Sequence, residues 1–413
     1  MRIAYVSCDR GVSAAGSNGA ATHIRELVNA LVERGVEVKL LTARATSAWA
    51  AEALACEVID VDSEALLQQL RRRTARIEGA TSAPGTRASE VHSLLLNQSV
   101  GEHLEALYAR WPFDVIFERY SLWSYAGLRF ARGRGIPLLL EVNAPLVAQQ
   151  EEYRSLFNAG TARALEELLL ANADRVIVPS KALAAYVAER GGRPRRVRVI
   201  PCGVSRAIFL PTWRPIEARE GMQEFVVGFL GSLKQWHGVD ILLEVFQELR
   251  KRSPAYRLLI VGDGPLRSVV EARGCGMPSD AITITGTVPH RNVPRWLERM
   301  DVGLAPYPAL PLFYFSPLKV LEYAASGVPI VASGSGQIAE IFAHEVSAML
   351  HAPGNVTEIV EHIERLRASP ELRVRLARAA RRAVKKVYTW DRLAAHLVAV
   401  AETACRGHTM PSP

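Results

Sequence analysis

The chain has 413 residues, 49% hydrophobic and 22% charged, the length and make-up of a globular protein of two or three domains. No apolar run approaches the roughly 18 to 20 residues of a membrane span, and five scattered cysteines, odd in number and without metal-ligand spacing, fit a reducing compartment. The excess charge of +8 suits an anionic partner, whether a phosphorylated ligand, a lipid surface or a nucleic acid, without choosing among them.

Met1 passes directly into the strand-like RIAYVS, so a soluble, unexported, cytoplasmic protein is expected. From there short apolar strands alternate with helical stretches, the pattern of an α/β protein with parallel sheets covered on both faces. Strand-like runs are Arg2 to Ser7, Val36 to Thr42, Glu57 to Val61, Val115 to Glu118, Pro137 to Val142, Arg175 to Val178 and Val197 to Ile200. Amphipathic stretches such as Ala21 to Glu33 and Leu122 to Arg132 lie between them, and Gly79 to Thr86 reads as a mobile loop. The pattern pauses at Pro201 to Pro215 and resumes with strands at Phe225 to Phe229, Arg257 to Val261, Ile282 to Thr285, Val302 to Ala305 and Pro329 to Ala332. Two Rossmann-like domains joined near residue 210 are the simplest reading, with Gly407 to Pro413 a frayed tail.

Open parallel sheets bind ligands beyond the carboxyl ends of their strands. Three glycine-rich turns fall there: Cys8 to Gly19, Gly231 to Gly238 and Gly262 to Arg267. Each could present backbone N–H groups to a phosphate or sugar. None is a dinucleotide fingerprint, because GDGPLR has arginine at the third glycine and Gly11 to Gly16 has the wrong spacing; a GxxxxGK[ST] loop is absent too.

The stretch FYFSPLKVLEYAASGVPIVAS, Phe313 to Ser333, reads as a loop, a helix and a buried strand. Ser316 is expected to cap the helix and Pro317 to open it, with Gly327 and Pro329 ending it. Lys319 then sits at the positive end of the helix dipole, a conflict of roughly 0.3–1 kcal/mol that a shared anion removes. Glu322 follows on the same face and could accept hydrogen bonds from sugar hydroxyls; the bland alternative is an exposed Lys–Glu pair. Further on, the basic run Arg365 to Lys386 reads as two helices broken at Ser369 and Pro370. It is either a peripheral contact for an anionic membrane or a solvated arginine-rich face, and Arg71 to Arg73 has the same ambiguity. No aromatic platform interleaves with these charges, so nucleic acid is not expected as a partner.

Taken in order, these segments resemble glycosyltransferase family 4, the group 1 glycosyltransferases, across nearly the whole chain. NGAATHIRELVNALVERGVEV resembles the family's glycine loop and helix, with Asn18 and Gly19 where a glycine pair is usual; RRVRVIPCGV resembles its strand before the interdomain linker; GFLGSLKQWHGVDILLEVF, LLIVGDGPLR and ITITGTVPHRNVPRWLERMDVGLAPY continue the second domain; VYTWDR resembles the start of its final helix. The resemblance implies a GT-B fold, two Rossmann-like domains facing across a cleft. Their expected bounds are 1–208, with the final helix 389–405 packing back on this acceptor domain, and 209–388 for the donor domain. It implies retaining transfer of a sugar from a nucleoside diphosphate sugar, UDP or GDP, to a hydroxyl acceptor of polysaccharide, glycolipid or small-molecule biosynthesis, with no metal or other cofactor.

Carried over residue by residue, the resemblance makes Glu322 the ribose ligand. Ser316, Pro317, Leu318, Lys319, Lys234, His237, Gly231, Ser232, Gly262 and backbone groups around Val288 become the nucleotide and phosphate site. Of the family's two glutamates with seven residues between them only Glu322 is present. Tyr314 holds the first position and, with Phe315, would meet the donor sugar. The arginine and lysine that usually grip the diphosphate appear as Ser232 and His237, so Lys319 and Lys234 could supply the charge, Lys234 being otherwise a solvated loop residue, with His237 either a donor if protonated or a packing residue beside Trp236. Asn143 stands where many relatives carry a histidine. Glu141 could be a general base, a sugar ligand or a strand-end carboxylate paired with Arg119. With Lys319 these two are the catalytic candidates, while Arg119, Tyr120 and the Asn18–Gly19 loop would line the acceptor side. His23 is expected to be structural, and His290 to lie near the nucleotide base. A sugar-nucleotide epimerase or hydrolase, a non-catalytic subunit of the same fold and a nicotinamide or flavin oxidoreductase are the rival readings.

Overall fold

The computed structural model describes residues 1–9, 11–12, 14, 16, 18–43, 54–61, 86–153, 155–211 and 224–409. The cluster Arg71 to Arg73 and the loop expected from Gly79, up to residue 85, lie outside them. The chain divides into two compact units. Unit 1 is Met1–Gly16, Ala20–Ile200 and Ala394–Pro413, and Pro201–Leu393 makes up the bulk of unit 2.

Unit 1 runs β1 (Arg2–Ser7), α1 (Gly19–Glu33), β2 (Glu37–Thr42), β3 (Glu57–Asp60), α2 (Thr86–Arg110), β4 (Val115–Arg119), α3 (Ala126–Arg134), β5 (Leu138–Glu141), α4 (Leu146–Tyr153), α5 (Ala159–Asn172), β6 (Arg175–Val178), α6 (Lys181–Glu189) and β7 (Val197–Val199). Its strands pair in the order β3-β2-β1-β4-β5-β6-β7, all parallel. Parallel strands packed on both faces read as continuous apolar runs. Ile3, Ala4, Tyr5 and Val6 of β1 accordingly are all buried, as are Leu138, Leu139 and Leu140 of β5.

Unit 2 runs α7 (Arg206–Phe209), β8 (Phe225–Leu230), α8 (Val239–Arg252), β9 (Tyr256–Val261), α9 (Arg267–Gly274), β10 (Ile282–Ile284), α10 (Val293–Leu297), β11 (Val302–Ala305), α11 (Leu318–Ser326), β12 (Ile330–Ser333), α12 (Gly336–Ile341), β13 (Met349–His351), α13 (Val356–Ala368), α14 (Pro370–Val387) and the first turn of α15 (Trp390–Thr409). Its sheet is parallel throughout in the order β10-β9-β8-β11-β12-β13. In α8, Val239, Leu242, Leu243, Phe246 and Leu249 recur at helical spacing and pack on Phe225, Val227, Phe229 and Ile260 of the sheet. Each such burial contributes about 1.5–3 kcal/mol.

The break in the basic run falls where the sequence puts it: Ser369 caps α14 by accepting from Leu372 N–H at 3.2 Å, and Pro370 opens the helix. Arg373 and Arg381 turn inward, to the carbonyls of Leu366 and Arg367 and of Ala325 and Leu210. Arg375, Arg378, Arg382, Lys385 and Lys386 stay exposed along the opposite side. The expected frayed tail is corrected for Gly407 to Thr409, which α15 includes, while residues 410–413 lie outside the described ones. Among the described residues no helix is long and apolar enough to cross a membrane. Strand order reverses between β1 and β4 in the first sheet and between β8 and β11 in the second, and beyond the carboxyl ends at such switch points ligand sites form.

Candidate functional site

At the switch point of the second sheet the chain leaves β8 through Gly231, at φ 127°, and leaves neighbouring β9 through Gly262, at φ 148°. A Cβ on Gly262 would stand 2.1 Å from the Gly231 carbonyl oxygen, and one on Gly264 2.6 Å from the Leu233 nitrogen. The two turns therefore lie backbone on backbone, and both positions require glycine. Leu233 N–H donates to Asp263 O at 2.9 Å and Leu266 N–H to Leu233 O at 3.1 Å, which locks the turns together. Arg267, the residue that spoils the dinucleotide fingerprint, pairs with Asp263 at 3.2 Å and Glu271 at 2.7 Å on the surface.

Against these turns α11 presents Lys319. A Cβ on Gly231 would lie 3.3 Å from the lysine Cε, so the end of that side chain abuts the turn. Its Nζ stands 3.9 Å from the Phe229 ring centroid and 5.3 Å from that of Tyr307, residues at the ends of β8 and β11. The residue is 7% exposed and, among the described residues, Nζ has no hydrogen-bond partner. Burial pushes its pKa down to about 7, with Glu322 pulling the other way. A buried amine faced by aromatic rings and tight glycine turns is suited to receive an anion.

Glu322, one turn along on the same helix, is 7% exposed, and its Oε1 accepts from His290 Nε2 at 2.7 Å. The His290 ring packs on Phe209, centroids 5.2 Å apart. Sequence reasoning left His290 to the base region and missed this bond, because 32 positions separate the partners and only the sheet topology brings them together.

Two expectations for this loop and helix are corrected. Ser316 does not cap α11: Pro317 holds that position without a side-chain cap, while Ser316 Oγ donates to Gln337 Oε1 at 2.6 Å and accepts from Cys202 N–H at 2.9 Å. The serine precedes the cap by one residue and ties the loop to the start of unit 2 instead. His237 is not a protonated donor. Its Nδ1 donates to Ser232 O at 2.7 Å, and burial together with Lys319 and Lys234 pushes its pKa down to about 3. The neutral ring is left with Nε2 as an acceptor.

The remaining residues expected at the donor site lie on the loops after the strands of unit 2 and at the start of α11. Lys234 Nζ lies 5.0 Å over the Trp236 ring. Tyr314 is 8% exposed and packs on Phe315 at 4.3 Å, and Phe315 stacks on Tyr307 at 5.9 Å. Leu318 opens α11, Pro317 O accepts from Val320 N–H at 3.0 Å, and Val288 lies half-buried between the Gly286 turn and His290.

In unit 1, Glu141 at the end of β5 gathers a buried network. His23 Nε2 stands 2.6 Å from Oε1, and Tyr5 OH and Arg119 Nη1 donate to Oε2 at 3.0 and 3.3 Å. Burial alone would raise this carboxyl, but His23, Arg119 and Tyr5 outweigh it and hold the pKa at about 2. Both oxygens are engaged, so the strand-end ion pair fits and the general-base expectation is corrected: a carboxylate held this acidic is a poor proton acceptor. Asn143, two residues on, has a buried Nδ2 without a hydrogen-bond partner among the described residues. Tyr120 OH and Tyr186 OH both donate to buried Glu166, at 3.0 and 2.7 Å, which turns Tyr120 to the interior. Gly19 opens α1, directly after Asn18. Glu118, on the other face of β4, accepts from Ser124 Oγ, and burial pushes its pKa up to about 7.

Known proteins match both halves of the chain. Residues 224–369 match the family model described as glycosyl transferases group 1, and residues 18–203 that of a glycosyl transferase 4-like domain. The D-inositol 3-phosphate glycosyltransferase of Segniliparus rotundus is 26% identical over 412 residues, 95% of this chain and 86% of the relative. The 2-deoxystreptamine glucosyltransferase of Streptomyces kanamyceticus is 27% identical over 278 residues, 64% of this chain and 70% of the relative. Among solved structures, sucrose-phosphate synthase of Thermosynechococcus elongatus superposes with a TM-score of 0.73 at 20% identity, covering 98% of this chain and 99% of that one. Anabaena HepE in complex with UDP-glucose does so at 0.72 and 18%, with the same coverage. The two parallel sheets, the glycine turns around Lys319 and these matches lead to one conclusion: the chain belongs to the group 1 glycosyltransferases, enzymes of the two-domain GT-B fold that use nucleotide-sugar donors.

Proposed function

We propose that this glycosyltransferase moves a sugar from a UDP- or GDP-sugar to a hydroxyl acceptor, with retention of anomeric configuration and without a metal ion. The observation that carries the reading is the buried Lys319 Nζ, without a hydrogen-bond partner among the described residues, beside the Gly231 and Gly262 turns, with Glu322 on the same helix face. Negative charge grows on the leaving diphosphate during transfer, and a positioned amine in a water-poor site, charged once the diphosphate pairs with it, stabilises it. Lys319 takes that role and Lys234 adds charge from the loop. Glu322 accepts from ribose hydroxyls, while Tyr314 and Phe315 border the donor sugar. In unit 1, Asn143 and Arg119 are the polar groups for the acceptor side. The structure of Anabaena HepE with UDP-glucose supports UDP as the first nucleotide to test. The exposed basic side of α14 supports a peripheral contact with an anionic membrane at the cytoplasmic face.

Calorimetry with UDP, GDP, ADP and dTDP tests the reading. The wild type is expected to prefer UDP or GDP by tenfold or more, and Glu322→Ala to lose about 1.5–3 kcal/mol of that binding, the worth of hydrogen bonds to a charged group. Failure of all four to bind would overturn it.

A further inference from the structure

We propose that His290 is a positioning residue for ribose recognition: it fixes the Glu322 carboxylate so that the acceptor sites left over meet the vicinal hydroxyls of the nucleotide sugar. This rests on the reading of Glu322 given above. The two side chains are 15% and 9% exposed and 2.7 Å apart, and the imidazole is held from behind by Phe209, which is wholly buried. His290 itself sits on a short 3-10 turn, His290–Asn292, that leads into α10. Phe209, His290 and Glu322 therefore come from three separate stretches of unit 2 and form one stack.

An ionised carboxylate offers about four acceptor sites on its two oxygens. His290 fills one on Oε1 and so sets the plane of the group. Among the described residues Oε2 accepts no hydrogen bond, which leaves it and the second site of Oε1 for a pair of adjacent hydroxyls. A glutamate free to turn about its side-chain torsions would lose that freedom on binding; here it is lost on folding, which favours the ligand that fits the fixed plane. A nucleotide lacking one of the two hydroxyls leaves a carboxylate oxygen unpaired, so the penalty falls on deoxyribose.

The test measures UDP and GDP against their 2'-deoxy counterparts by calorimetry, with wild type, His290→Leu, His290→Gln and Glu322→Ala. The wild type is expected to prefer the ribonucleotide by about tenfold or more. His290→Leu should bring the preference to within about twofold of unity by weakening the ribonucleotide and leaving the deoxynucleotide nearly unchanged. His290→Gln, whose amide can reach Oε1, should restore most of it. If His290→Leu does not fold, His290→Asn, too short to reach Oε1, gives the same readout. A preference that survives both losses of the bond, or a loss that weakens both nucleotides equally, overturns the positioning role. If Glu322→Ala keeps the preference, the ribose reading of Glu322 fails and takes His290 with it; if Glu322→Ala abolishes it and His290→Leu does not, only His290 fails. A wild type that binds none of the four overturns both.

Discussion

Lys319 shows how far one side chain can be set against its own surroundings. Its pKa of about 7 lies below the ordinary 10.5 because burial disfavours the charged form. The unfolded chain therefore holds more protons than the folded one between those values, so this group makes stability rise with pH through that window. A bound diphosphate acts the other way, since it pairs with the ammonium and draws its pKa back up. Around Nζ, Glu322 on its own helix and the rings of Phe229 and Tyr307, 3.9 and 5.3 Å away, favour the charge, and burial outweighs them. Nucleotide binding at pH 8 should accordingly take up close to one proton. Calorimetry in two buffers of different ionisation enthalpy reads this directly. The heats should differ for wild type and coincide for Lys319→Arg, whose guanidinium stays charged. Coinciding heats in the wild type would refute it.

At the level of elements, the glycine turns divide cleanly by what stands near them. Gly262→Ala drives a Cβ to within 2.1 Å of a carbonyl oxygen at a φ of 148°, and should cost about 1–3 kcal/mol and weaken nucleotide binding. Gly133→Ala, inside α3 with nothing among the described residues within 4 Å of the new Cβ, should gain roughly 0.5–1 kcal/mol and leave binding alone. Thermal unfolding of the two variants, with nucleotide titration, checks both. The strands were legible because Val, Ile and Leu runs of four to six residues lie between glycine and proline punctuation, and the break before α14 because Ser369 and Pro370 are local signals. Strand β13 was not legible: three residues, Met349–His351, ending on a buried histidine, carry no pattern of their own and pair only because β12 lies alongside. Lys319 and Glu322 could be picked out from helical spacing. The use of Ser316 by Gln337 and of Glu322 by His290 could not, because hydrogen bonds between distant stretches leave no periodicity.

For the molecule as a whole, two buried carboxyls of unit 1 give its stability opposite pH arms. Glu141, held at about 2 against an ordinary 4.5, contributes stability that is present above 4.5 and lost as pH falls toward 2. Glu118, pushed up to about 7, costs stability progressively as pH rises from 4.5 through 7. Melting temperature against pH should therefore show Glu118→Gln above wild type at pH 8 and level with it near pH 4. Glu141→Gln should fall below wild type at pH 7 by about 3–5 kcal/mol, the cost of stripping a buried pair of its partner, with the gap closing below pH 3. Parallel curves for all three proteins would count against both assignments. The last helix carries a different consequence. α15 starts in unit 2, but from Ala394 onward it belongs to unit 1, where Cys405 Sγ reaches Asp114 O and His408 lies 3.7 Å from Asp174. Leu397, Val400, Ala401 and Ala404 are buried there. On a ribosome adding about 5–20 residues per second, the stretch Pro201–Leu393 takes on the order of 10–40 s to emerge. Throughout that delay the nascent unit 1 carries an apolar face with nothing to cover it, a standing invitation to chaperones until the closing helix leaves the tunnel.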